Sequence, residues 1–406
     1  MDPHADVSPQ AENGLVLTKC GVAVAAGLAF AWLGCLVAMS IPHLWMLDVQ
    51  GRPIFTDFLE VWVAGRSALH GAAAAAYDPV LHHAAQVEAA GHALKGFLWW
   101  HYPPLFLFVA APLALMPYAA AFLAWDLVTL AGFAAAIAAI ARTRIAALIA
   151  CGIPAVFVNA VVGQNGCLTA ILIGGALLSL EARPILAGLF IGLLTYKPQM
   201  GLLFPLVLVA TGRWRAFFSA CAVTLLAIAL PSLIFGVDTV RAFLHFLPRA
   251  SDSLLTHGAA GLNKLQTIYS LARFLGWSYL PASLLQGAVT LAVAVAVVRL
   301  WRSNVTFAVK AAGLAAAVFA ATPYLYMYDF PILAVPLAFL YRDRAFDRVE
   351  LAGIALANLS LLVFACGVVA VPIGPLAVGF VGGLIVRRAM QQSQAAANNA
   401  LVMQAA

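Results

Sequence analysis

The feature that most constrains this chain is a succession of long apolar runs separated by short breaks that carry nearly all of its charge. Of its 406 residues, 64% are hydrophobic and only 9% charged, and the mean hydropathy is +0.97. A soluble chain of this length needs about a quarter of its residues charged to cover its surface. The sequence therefore specifies an all-α polytopic membrane protein. The net charge of +6 is informative by position: twelve of the 22 basic residues sit in clusters between runs, at Arg142/Arg144, Arg183, Arg213/Arg215, Arg299/Arg302, Arg342/Arg344/Arg348 and Arg387/Arg388. The positive-inside rule makes these breaks cytoplasmic. No basic face interleaved with aromatics is present, so nucleic acid is not an expected partner.

Residues 1–14 are polar and read as a short cytoplasmic tail, and 15–390 as one transmembrane domain. Residues 391–406, rich in Gln, Ala and Asn, read as a disordered C-terminal tail. The first apolar run, near 16–39, is long enough to span and lacks a basic n-region and a small-residue cleavage pattern, so no cleavable signal peptide is expected. Residues 40–102 cannot cross the bilayer. They carry Asp48, Asp57, Glu60, Asp78 and Glu88 against Arg52, Arg66 and Lys95, which suits an outer loop. Within that loop, 57–70 and 79–94 read as two interfacial helices. Thr56 stands at the N-cap of the first, Asp57 and Glu60 lie in its first turn, and Gly71 closes it.

Further runs are expected near 104–116, 119–140, 145–161, 167–181, 184–196, 200–211, 216–235, 281–299, 305–321, 329–341, 350–370 and 373–386, giving 11 to 13 spans in all. One conflict of parity arises. With 40–102 outside and Arg142/Arg144 inside, residues 103–141 must cross an odd number of times, yet two runs are present. Either 104–116 is re-entrant or the arginine pair is misplaced. With the basic clusters inside, the other polar breaks fall on the outer side: Gly163-Gln164-Asn165-Gly166, Tyr196-Lys197-Pro198-Gln199, the loop 236–265, and Thr322 to Asp329.

Several residues in those breaks are suited to chemistry, and each has a plainer use. Asp57 fits a general base for a hydroxyl near a low-dielectric boundary, or simply an acid in a first helical turn. Lys197, at the end of a run and followed by a proline, fits a phosphate contact or a snorkelling cation. Gln164 and Asn165 suit sugar hydroxyls or a phosphate, or an ordinary turn. Tyr324, Tyr326, Tyr328 and Asp329 line a polar site or form an interfacial belt. Arg66, His101 and Lys264 are further polar groups of the outer side, with a surface position as the plainer reading. Asp126 lies inside an apolar run with no partner in view. The six cysteines, Cys20, Cys35, Cys151, Cys167, Cys221 and Cys366, show no disulfide or zinc spacing and read as small core residues. P-loop, GxGxxG, GxSxG and HExxH patterns do not occur, so an energy source has to arrive with the substrate.

Asp57-Phe58 with Trp62 and Ala64-Gly65-Arg66, then Tyr77-Asp78-Pro79, Tyr102-Pro103-Pro104, Leu113 to Pro117, Gly163-Gln164-Asn165-Gly166, Lys197-Pro198-Gln199 and Ala321 to Asp329 together resemble glycosyltransferase family 87, over about 50–345. The resemblance implies a GT-C-type glycosyltransferase fold with interfacial helices in the first outer loop. It also implies an alpha-mannosyltransferase-like activity that draws on a polyprenyl-phosphate sugar donor and acts on a glycolipid or glycan acceptor at the outer face of the cytoplasmic membrane. Asp57 becomes the carboxylate that activates the acceptor, in an inverting transfer. Gln164, Asn165, Lys197 and Gln199 come to lie near the lipid phosphate, and Lys197 or Arg66 stabilises the departing phosphate. No cofactor is implied. Metal dependence stays open, because a lone Asp57 stands where some GT-C relatives carry an acidic pair with a metal. The rival from another class, a transporter or flippase of a lipid-linked envelope precursor, calls for paired halves with broken helices, and no such symmetry is visible.

Overall fold

The computed structural model describes residues 9–258 and 261–405, with side chains described for 21–258 and 261–399. Among these the chain is helical, with two isolated β-bridges and no strand. In order the helices are α1 (Pro9–Ser40), α2 (Asp57–Leu69), α3 (Pro79–Ala90), α4 (Leu107–Ala114), α5 (Tyr118–Ala141), α6 (Arg144–Cys151), α7 (Pro154–Val162), α8 (Gly166–Ser179) and α9 (Pro184–Leu193). They continue as α10 (Leu203–Ala210), α11 (Trp214–Ile234), α12 (Val237–Ser251), α13 (Ile268–Phe274), α14 (Tyr279–Arg302), α15 (Phe307–Ala321), α16 (Ala334–Asp343), α17 (Arg348–Ala365) and α18 (Gly374–Ala405).

This is a polytopic membrane protein built from helices of unequal length. Five stretches, Gly21–Ser40, Tyr118–Ala141, Trp214–Ile234, Tyr279–Arg302 and Arg348–Ala365, are long and apolar enough to cross a membrane. The pair α6 and α7, bent by 65°, adds a sixth, and five shorter apolar stretches fill the bundle between them. Proline and glycine account for the shortening: Pro154 and Pro184 start α7 and α9, and the Lys197-Pro198 pair separates α9 from α10 with two 3-10 turns. Length alone thus counts fewer crossings than the 11 to 13 runs of the sequence.

Both helices of the 40–102 segment form, with physical stops. Thr56 takes the extended N-cap conformation of α2, but its hydroxyl turns away from the helix and shares a 3.0 Å hydrogen bond with the Tyr118 hydroxyl. Gly71, at φ +72°, closes α2 as expected. Asp78 caps α3 through its Oδ1, which accepts from the backbone N–H groups of Val80 and Leu81, while Pro79 occupies the first turn. Gly91 at φ +69° ends α3 at Ala90, four residues before the end expected from hydrophobic pattern alone. Residues 236–265, expected as a loop, are largely helical, since α12 runs from Val237 to Ser251 and is followed by a turn of π-helix.

The short run α4 bears on the parity conflict. Together with the 3-10 turn before it, Pro104–Ala114 makes 11 residues of helix, about 16 Å, against a hydrocarbon core roughly 30 Å thick. The chain then returns to α2: Trp62 Nε1 donates to the Met116 carbonyl at 3.1 Å, and Tyr118 meets Thr56. α2 and α4 pack so closely that a Cβ at Gly65 would run into the Ala110 backbone. The run thus returns to α2, the arrangement that the re-entrant alternative for 104–116 calls for.

Polar groups gather at two opposite ends of the bundle. The loop end carries residues 40–102, the Gln164-Asn165 turn, Lys197 and Asp329. The arginine end carries Arg344, Arg387 and Arg388 with Asp343, Asp347 and Glu350. Residues 1–8 of the N-terminal tail lie outside the described residues, 9–14 open α1, and α18 continues as helix through 391–405 where disorder was expected.

Candidate active site

At the loop end, six side chains from five parts of the chain form one continuous hydrogen-bonded line. Asp57, the first residue of α2, accepts at Oδ2 from Gln164 Nε2 at 3.0 Å. The Tyr102 hydroxyl donates to Gln164 Oε1 at 2.9 Å and accepts from Asn165 Nδ2 at 2.7 Å. Lys197 Nζ donates to Asn165 Oδ1 at 2.9 Å and forms an ion pair with Asp329 Oδ1. Asp329 Oδ2 accepts in turn from the Tyr326 N–H at 2.9 Å.

Local sequence explains each placement. The turn between α7 and α8 needs Gly163 at φ +67° and Gly166, where a Cβ would overlap the carbonyl of Tyr328. These two glycines bring the Gln164-Asn165 pair against the 3-10 segment Met327–Leu333, which carries Asp329. Pro198 ends the α9 side of the chain directly after Lys197 and holds the lysine at the buried break. Tyr102 is held extended before Pro103 and anchored from below, because the Tyr77 hydroxyl donates to its carbonyl at 2.8 Å. Trp125 Nε1 donates to the Gln164 carbonyl at 3.2 Å and pins the turn from α5.

The line is buried at one end and open at the other. Lys197 is 8% exposed and Asp329 fully buried, so this pair has lost its hydration and persists only because each partner is bonded. The Lys197 ammonium makes two hydrogen bonds and stands 5.4 Å from the centre of the Tyr328 ring. Asp57 at the other end is half-buried and accepts one hydrogen bond, at Oδ2, which leaves Oδ1 open. Burial raises the Asp57 pKa, against smaller lowering effects from the Gln164 hydrogen bond and from Lys264 and Lys197. Glu60, one turn along α2, is buried, accepts no hydrogen bond, and is held well above the usual carboxylate range by burial and then by the charge of Asp57.

Of the residues singled out from sequence, Asp57, Gln164, Asn165, Lys197 and Asp329 come together in this line. Arg66 does not: nine residues along α2, it lies about 13 Å from Asp57 and stacks over Trp62 at 5.1 Å. Gln199 is half-buried in the turn after Lys197 and joins none of these hydrogen bonds. His101 packs between the rings of Trp99 and Phe246, with Nε2 buried and unpartnered, and burial holds its pKa down to about 4, so it is neutral. Tyr324 bonds Ser251 at 2.8 Å, away from the line. Lys264 is exposed, next to the bridge that joins Leu265 to Tyr326, and its charge reaches Asp57. Asp126 lies within α5 with Oδ2 buried and unpartnered, outside the line.

Tyr102 is the site residue that sequence reasoning passed over, while Glu60 was considered only as a weak substitute for the second acid of the pair that some GT-C relatives carry. Tyr102 was legible only as part of a proline-marked membrane border, yet a tyrosine in a buried stretch must place its hydroxyl on a partner, and that requirement was the available signal. Glu60 was legible as a first-turn acid, and nothing in the sequence shows that it points inward.

The model of glycosyltransferase family 87 matches residues 100–327, more than half of the chain. The match contains Tyr102, Gln164, Asn165 and Lys197; Asp329 lies two residues past its end, and Asp57 lies well before its start, 43 residues upstream. No curated protein and no solved structure matches.

Proposed function

The chain belongs to glycosyltransferase family 87, and we propose that it transfers a hexose, mannose first among candidates, from a polyprenyl-phosphate donor to a hydroxyl of a glycolipid or glycan. The transfer takes place at the outer face of the cytoplasmic membrane and inverts the anomeric carbon. Asp57 Oδ1 takes the proton of the acceptor hydroxyl as its oxygen attacks. The bond from the anomeric carbon to the phosphate oxygen breaks, and its electron pair leaves with the lipid phosphate.

The observation that carries this reading is the state of Asp57: a partly desolvated carboxylate, raised in basicity, oriented through one oxygen by Gln164 and open at the other. The phosphate leaves as a dianion or monoanion and needs positive potential more than a proton. Lys197 and Lys264 supply it, since the charges of both act at Asp57. Arg66 is too far along α2 for that task. A lipid-linked donor is supported by an apolar cavity of about 760 Å³ between α14, α15 and α18, which runs from Gln266 and Pro375 near the loop end to Arg299 and Ser303 near the arginine end. Its lining is almost wholly apolar, which suits a long hydrocarbon chain.

The test is purified protein incubated with a panel of polyprenyl-phosphate sugars and a membrane lipid extract, followed by mass analysis of the products. Addition of one hexose to an extract lipid or glycan, with release of polyprenyl phosphate, is expected. Turnover of a nucleotide sugar and of no lipid-linked sugar overturns the donor class.

A further inference from the structure

A second cavity lies outside the hydrogen-bonded line and has no role in the chemistry described so far. It is a cleft of about 440 Å³ at the loop end, between the 3-10 turn Ala73–Tyr77 with the start of α3 on one side and α12 on the other. Its floor is aromatic. Tyr77 and Phe246 are both buried, with ring centres 6.3 Å apart, and Phe243 stands 5.5 Å from Tyr77. Its lip is polar and comprises Asp78, His245 and Arg249, all exposed.

The charges on this lip are unequally committed. Asp78 spends Oδ1 on capping α3, which leaves Oδ2 as an acceptor. On α12, Arg241 pairs with Asp238 of its own helix at 3.1 Å, whereas Arg249 forms no ion pair or hydrogen bond among the described residues. His245 lies one helical turn before Arg249 and therefore faces the same way. A free guanidinium beside an imidazole, above two aromatic faces, has the chemistry to hold a sugar ring on its apolar side and an anionic group at its edge.

The floor of the cleft is also one residue from the proposed site. The Tyr77 hydroxyl that closes it bonds the carbonyl of Tyr102, whose own hydroxyl sits in the line to Asp57. Behind Phe246 lie Trp99 and His101, with ring centres 5.7 and 5.8 Å away and with Trp99 Nε1 and His101 Nε2 buried and unpartnered. The aromatic wall of the cleft is thus backed by two polar groups without a hydrogen-bond partner among the described residues.

We propose that this cleft is a binding subsite for a phosphorylated sugar headgroup, the non-reacting part of the acceptor, which it holds while another hydroxyl of the same molecule reaches Asp57. The proposal rests on the glycosyltransferase reading for its purpose and not for its binding. Contacts to a remote group of the acceptor orient the reacting hydroxyl and raise turnover as well as affinity.

The experiment measures binding of glucose 6-phosphate and of glucose to the purified full chain by saturation-transfer NMR, for the wild type and for Arg249→Ala and His245→Ala. Both replaced side chains are exposed on α12, so folding is retained. The phosphorylated sugar is expected to bind more tightly than glucose, with the preference reduced about tenfold or more in Arg249→Ala. Equal binding of the two sugars, or an unchanged preference in Arg249→Ala, overturns the proposal. Nanodiscs of phosphatidylcholine with and without phosphatidylglycerol separate the sources: competition by phosphatidylglycerol assigns the cleft to a lipid headgroup, and its absence to a soluble glycan phosphate. Asp57→Asn should leave the sugar-phosphate binding unchanged. If that variant proves fully active, the catalytic reading fails while this subsite stands, and a loss of sugar-phosphate selectivity alone leaves the catalytic reading in place.

Discussion

The two ends of the bundle bury charge in opposite ways. At the arginine end, Arg388 is 1% exposed and forks onto Glu350, with Nε to Oε1 at 2.7 Å and Nη2 to Oε2 at 2.9 Å, while its remaining N–H groups reach the carbonyls of Leu340 and Arg344. Arg387 takes Asp347, which with Glu350 forms a capping box for α17. Each of these charges is answered, and three helices, α16, α17 and α18, are tied together. At the loop end Lys197 and Asp329 are answered in the same manner, but the line opening from them stops at Asp57 with one oxygen free and with Glu60 beside it unbonded. A closed network of buried charge stabilises a fold. One that ends in a carboxylate with an accessible oxygen suits proton transfer.

The largest effect is expected from breaking the closed end. Arg388→Met leaves Glu350 buried without its fork and should lower stability by about 3–5 kcal/mol in detergent-solubilised protein, while the molecules that remain folded turn over normally. Normal stability in this variant would erase the contrast between the ends. Asp57→Asn should do the reverse, with a rate reduced at least about a hundredfold, or roughly 2.7 kcal/mol in barrier, and an unshifted thermal midpoint. A helix-capping role for Asp57 instead predicts at most about 1 kcal/mol of stability and near-normal turnover.

Smaller effects sharpen the comparison. Tyr102→Phe keeps the ring and removes the hydroxyl that holds Gln164, so turnover should fall about tenfold. The acid limb of the pH–rate profile reports Asp57, whose burial already raises it above the ordinary aspartate range. Loosening the Gln164 hydrogen bond, which favours the ionised form, moves that limb to still higher pH. A profile identical to that of the wild type would reduce Tyr102 to packing. The smallest effect is also the most discriminating, because it makes the same change at both ends. With a folded pKa raised above its unfolded value, Glu60 gives the fold less stability as pH rises through that interval, so Glu60→Gln should raise the thermal midpoint at neutral pH by an amount worth up to about 1 kcal/mol. Glu350→Gln, which loses its arginine, should lower it. Shifts of the same sign would mean that Glu60 is a structural acid.

Much of the architecture was legible before any fold was known, because a bilayer demands apolar length and the sequence displays it residue by residue. Apolar runs, charge breaks and glycine or proline stops are local quantities, so α2, α3, α5, α11 and α14 follow from them with boundaries close to those observed. Membrane class and the motifs from Asp57 to Asp329 are properties of this kind. Only the tertiary structure decided that α4 turns back to α2, that Lys197 faces Asp329 across 132 positions, and that Tyr102 joins Gln164 to Asn165. It also decided which carboxylates are answered and which are left open. Those outcomes depend on contacts between distant segments, which no local pattern encodes, and a buried charge acquires its meaning from the partner that packing brings to it.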